Sequence, residues 1–246
     1  MLLEPNYKLT PRNKNVREKC PSKTVMKFSL KEIKQHFDES LAMLRNQTSI
    51  AHGFYENRNV EEAKYIWRTQ IVLLESAYDF YLHEITKYGL CRIYEKQWDE
   101  TPKYKNININ METLSEALIS NGSLDWFLKF TNDHYSIKTL TSYQSFRDQC
   151  NLLGIDYREI ADEVFYDRNS RKSTEEKLEN VITELFKRRN RIAHQYDREY
   201  ADAEPQNIDE KTVEDFLQRI SEIVDSIYRA VLRKDGIFND FTCNDK

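Results

Sequence analysis

The chain has 246 residues, 39% hydrophobic and 32% charged, with 5 Gly, 5 Pro and a net charge of −4. That length supports a full core without metal or disulfide staples, and few breakers among so many charges favour long amphipathic helices over many short strands. Cys20, Cys91, Cys150 and Cys243 form no C-x-x-C pair, Met1–Pro5 carries no signal-peptide pattern, and the strongest apolar run, Ile71–Leu74, is cut by Glu75 far short of the roughly 20 residues of a membrane helix. The expectation is a cytoplasmic protein with reduced thiols and no membrane contact.

Residues 1–27 carry seven basic residues (Lys8, Arg12, Lys14, Arg17, Lys19, Lys23, Lys27) against Glu4 and Glu18, a net of +5 that leaves the remainder near −9. With prolines, many polar residues and no apolar period, this segment reads as a flexible basic arm. It is either a solvated tail or a contact for phosphate. Residues 28–246 read as one domain.

The first helix opens at Ser29, with Glu32 three residues on as a capping box, and Leu30, Ile33, Phe37, Leu41 and Leu44 recur on one face. It is expected to fade near Asn46–Gly53. Asn59 reads as the cap of a second helix running to about Tyr88, with Gly89 as its stop. The centre of this helix, Ile71 to Leu82, is apolar almost all round, as in a helix covered on several sides. Yet Glu75, Asp79 and His83 lie four apart and form one polar stripe.

Residues 95–173 contain Pro102, the polar Asn106–Asn110 stretch and shorter helical patterns at 111–120, 124–133, 141–153 and 157–165. They read as a helical insertion. Ser173 and Glu176 then form another capping box, and Leu178, Val181, Ile182, Leu185 and Phe186 lead into Lys187-Arg188-Arg189-Asn190-Arg191-Ile192-Ala193-His194. After a polar loop with Pro205, a last helix from about Asp209 to Lys234 carries a full apolar stripe, with Gly236 at its end. Four long helices plus an insertion make an all-α bundle.

Arg189-Asn190-x-x-x-His194 is the pattern that carries chemistry. His can donate or accept a proton near neutral pH, Arg is a permanent cation with a bidentate fork, and Asn orients by hydrogen bonds. On sequence chemistry alone these are equally cations at a helix C-terminus, complementing its dipole. No zinc spacing, phosphate-cradling glycine loop or G-x-S-x-G is present. A looser copy, Arg45-Asn46 with His52, reads as coincidence at the end of the first helix. His36 and His134 belong to no such pattern.

The motif resembles the R-x(4–6)-H motif of the HEPN superfamily, often R-N-x-x-x-H, ahead of the last core helix. The stretch Trp67 to Glu84, with Trp67-Arg68 leading to Ser76, Ala77, Asp79, Tyr81, His83 and Glu84, is similar to the second helix of RiboL-PSP-type HEPN domains. Together these cover about 130 residues; the insertion and the arm lie outside the resemblance.

The resemblance implies an antiparallel helical bundle and a metal-independent endoribonuclease without cofactor. The 2′-OH of RNA would attack the adjacent phosphorus, leaving a 2′,3′-cyclic phosphate and a 5′-hydroxyl. Arg189, His194 and Asn190 would be the catalytic set, Asp79 the residue that holds Arg189 or Asn190, with His83 and Glu75 beside it, and Lys187, Arg188 and Arg191 the RNA contacts. It implies a homodimer with two motifs facing one cleft, in the setting of a toxin or antiphage effector with an antitoxin or defence-complex partner. Arg189, His194 and Tyr196 also fit R-x(4)-H-x-Y, which makes Tyr196 either a modification site or a packing residue. The alternatives are a binding module for RNA or nucleotide without cleavage, or a scaffold in a defence complex.

Overall fold

The computed structural model describes residues 29–198 and 203–237. The basic arm, Cys20 and Cys243 lie outside the described residues. Among those described the chain forms nine α-helices and no strand, with one isolated antiparallel bridge between Arg198 and Pro205.

Helix α1 (Leu30–Glu56) begins with the Ser29/Glu32 capping box and buries Leu30, Ile33, Phe37, Leu41, Leu44, Thr48 and Ala51. It continues past the expected fading point because Thr48 and Ala51 extend the buried stripe, and Gly53 lies in open space, so it need not break the helix. A short turn at residues 57–59 leads into α2 (Val60–Tyr94), which returns antiparallel. Phe37 against Tyr81 and Tyr55 against Trp67 set the register. Buried Gln70 reinforces it by donating to Leu44 O at 2.7 Å and Thr48 Oγ1 at 2.8 Å. Asn59 precedes α2 without a side-chain capping bond.

Gly89, expected to stop α2, is buried inside it. A Cβ there would stand 2.7 Å from Leu153 Cδ2 and from Trp98 Cζ3, so the glycine serves close approach of α2 to its neighbours, not a left-handed turn. The helix therefore reaches Tyr94.

The insertion holds five helices: α3 (Pro102–Lys105), α4 (Met111–Ile119), α5 (Asp125–Tyr135), α6 (Tyr143–Leu153) and α7 (Tyr157–Phe165). The single turn of α3 was not foreseen, because Pro102 reads as a breaker; here it opens the helix behind its Thr101 cap. Phe127, Phe146, Leu153 and Ile160 join one continuous core with residues of α1, α2 and the two long helices that follow, α8 (Thr174–Gln195) and α9 (Glu210–Lys234). Helix α2 packs against α1, α5, α6, α8 and α9, which is why its centre is apolar almost all round. The side it leaves open carries Tyr65, Leu73 and Phe80, all exposed. Cys91 and Cys150 are free and buried; burial raises both thiols, Cys91 to about 12.

Candidate functional site

Helix α8 starts at the Ser173/Glu176 box and buries Leu178, Ile182 and Leu185. Arg189 lies one turn beyond Leu185, so the stripe that packs the helix carries the guanidinium to the edge of the core. There Arg189 Nε stands 3.2 Å from Glu75 Oε2, an ion pair that is not aligned as a hydrogen bond. Arg189 Nη1 donates to Asn190 Oδ1 at 2.9 Å. Glu75 is almost fully buried (1%), whereas the Arg189 side chain keeps 31% of its surface in solvent. The cation is thus anchored by a buried partner while its side chain stays partly exposed.

The anchor has a second support. Thr141, buried in the turn between α5 and α6, donates its hydroxyl to Glu75 Oε1 at 2.5 Å. Burial raises the Glu75 carboxyl above its ordinary value, against the Thr141 hydrogen bond and the Arg189 charge.

The whole polar stripe of α2 turns out to hold this same loop. Asp79 Oδ1 accepts from the Leu140 N–H at 2.8 Å, and His83 Nε2 donates to Lys138 O at 2.9 Å. His83 Nε2 also lies 3.6 Å from Asp79 Oδ2. The expectation that Asp79 would hold Arg189 or Asn190 is therefore corrected. Glu75 has that position, one turn nearer the end of α8, and Asp79 is occupied by a backbone amide of the insertion. No sequence period announces Thr141, because its partner is 66 residues away.

The basic cluster divides by helix face. Arg188 is drawn under the loop before α9: it donates to Asp197 Oδ2 at 2.7 Å, Gln206 Oε1 at 2.9 Å and Asn207 O at 2.9 Å. Arg191 donates to the same Gln206 side chain. Arg188 and Arg191 are thereby engaged as supports of the fold, which leaves Lys187 as the member of the basic cluster that is not tied to this loop; burial lowers the Arg188 pKa against the pull of Asp197. Lys187 remains exposed, 3.7 Å from Glu184. Lys187, Asn190 and His194 recur at three and four residues and share one side of α8, with Lys187 and His194 exposed.

Beyond His194 the chain turns sharply. Tyr196 (φ 53°) and Asp197 (φ 59°) are both left-handed, and their N–H groups return to Arg191 O. The Tyr196 side chain is exposed. Asp197 is fully buried (0%) and also accepts from Arg68 Nε at 2.9 Å, while Arg68 Nη2 donates to Gln206 O at 2.9 Å. Neither Asp197 nor this role of Arg68 was anticipated.

The looser motif behaves as a helix tie. His52 Nδ1 lies 2.8 Å from Glu210 Oε2, joining the end of α1 to the start of α9, and this pairing raises the His52 pKa. Among the described residues no group of three or more His, Cys, Asp or Glu side chains could hold a metal ion, and no helix is long and apolar enough to cross a membrane. Comparison with protein-family models, with curated proteins and with solved structures finds no match to this chain.

Proposed function

We propose that the chain is a HEPN-type endoribonuclease, a helical bundle acting as a homodimer, with Arg189, Asn190 and His194 as its catalytic set. The observation that carries this reading is the ordering of the motif at the edge of the core. Arg189 is held by buried Glu75 and bonded to Asn190, and exposed His194 lies on the Asn190 side of the same helix. His194 would exchange the proton of the 2′-OH or of the leaving 5′-oxygen, and the partly exposed Arg189 would stabilise charge on the phosphate. Lys187, on the same side of α8, would meet the RNA backbone. Reaction through the 2′-OH calls for no metal. A role as toxin or antiphage effector, with an antitoxin or defence-complex partner, rests on the resemblance alone.

Dimerisation would supply a second Arg and a second His to one cleft. The open side of α2 supports self-association, since Tyr65, Leu73 and Phe80 are exposed there and no other described residues bury them.

The test is cleavage of total tRNA and of a mixed-sequence single strand in EDTA, beside the Arg189→Ala/His194→Ala double variant. Fragments with 5′-hydroxyl ends, absent from the variant, are expected. Equal cleavage by both proteins would remove the assignment.

A second reading, binding of RNA or nucleotide without cleavage, is favoured by one observation: the Arg189 charge is already matched by Glu75. Retention of RNA without fragments, lost on Lys187→Ala, would select it.

A further inference from the structure

The α5–α6 loop is tied to α2 at three successive turns: Lys138 O by His83, the Leu140 amide by Asp79, and Glu75 by the Thr141 hydroxyl. Only the last of these reaches the motif, because Glu75 divides its carboxylate between Thr141 on one oxygen and Arg189 on the other. A carboxylate this deeply buried is stable as an anion only while its oxygens are partnered. The charged groups around it are few: Arg189 from α8 and Asp79 one turn along α2, the first favouring the anion and the second opposing it, with the uncharged Thr141 hydroxyl from the loop favouring it too. Removing the hydroxyl leaves the anion with a single partner. Protonation of Glu75 would then release the guanidinium.

We propose that Thr141 is a positioning residue for Arg189, and that the α5–α6 loop is the element through which the insertion controls the catalytic motif. The hydroxyl keeps Glu75 ionised, ionised Glu75 keeps Arg189 at the edge of the core beside Asn190, and any event that lifts residues 138–141 from α2 unlocks the cation. The catalytic part of this inference rests on the nuclease reading; the link from Thr141 to Glu75 does not.

The test compares full-length wild type, Thr141→Val and Thr141→Ser by two measurements. The first is the pH dependence of RNA cleavage. The second is the titration of the Glu75 side-chain carboxyl followed by carbon NMR. Loss of a hydrogen bond to a charged group corresponds to a shift of about one pH unit or more. Thr141→Val is therefore expected to move both the Glu75 titration and the acid limb of cleavage upward by about one pH unit, with Thr141→Ser restoring both. A Glu75 titration unchanged in Thr141→Val overturns the proposal, as does an equal loss of cleavage at every pH. If wild type cleaves no RNA, the nuclease reading fails, and the NMR titration decides the Thr141–Glu75 link by itself.

Discussion

Arg68 and Asp197 join the third turn of α2 to the turn that closes α8 across a 2.9 Å ion pair, with the carboxylate fully buried and shared with Arg188. One acid thus balances two arginines from different elements. It also sits in a left-handed turn immediately after His194 and Tyr196, a conformation that costs a non-glycine residue roughly 1–2 kcal/mol. Asp197→Ala should destabilise the fold by about 3–5 kcal/mol, because it strands two partly buried guanidinium groups. Urea unfolding measures this, and a loss near zero would mean that water replaces the carboxylate at no cost.

Gly89→Ala tests the close approach at the centre of the fold. The added methyl meets Leu153 and Trp98 at 2.7 Å, so the core must shift. A loss of about 1–3 kcal/mol is expected from overpacking, although alanine is the better helix former. A variant as stable as wild type in thermal melts would show that the α2–α6 contact yields easily.

Glu75→Gln separates stability from charge. A carboxyl whose pKa is raised by folding stabilises the native state below its ordinary range and loses that contribution as pH rises through the folded value. The amide does not titrate. Wild type should therefore lose stability relative to Glu75→Gln between about pH 4 and about pH 7. Denaturant midpoints at both values give the comparison, and a constant difference would place Glu75 with ordinary surface carboxylates.

Leu73→Glu and Phe80→Glu test the open side of α2. Both side chains are exposed, so the fold should lose no more than about 0.5 kcal/mol. Light scattering after size exclusion should show wild type as a dimer and both variants as monomers. Dimeric variants would move the contact elsewhere.

Local rules were readable from the residues. The boxes at Ser29/Glu32 and Ser173/Glu176 stand where the pattern of cap and acid puts them, and α7 and α9 begin and end within a residue of expectation. Gly89 was misread because glycine marks both helix ends and tight crossings, and the second depends on Leu153 and Trp98, which are distant in sequence or beyond the expected end. The stripe of Glu75, Asp79 and His83 was visible, but its partners were not: Thr141, Leu140 and Lys138 approach only when the insertion folds back. The basic run Lys187 to Arg191 looked uniform in sequence. Only the return of residues 206 and 207 over one face of α8 distinguishes partly buried Arg188 from exposed Lys187.

The anchoring of Arg189 by Glu75 also orders events during synthesis. The α1–α2 hairpin can close as soon as residue 94 leaves the ribosome, but Glu75 then lacks both Thr141 and Arg189, which arrive later from the insertion and from α8. The turn behind His194 waits longer still, for residues 206 and 207 to tie down Arg188. A nascent chain therefore carries every residue of the motif before it carries an assembled motif, which comes together only after residues 206 and 207 have followed α8 out.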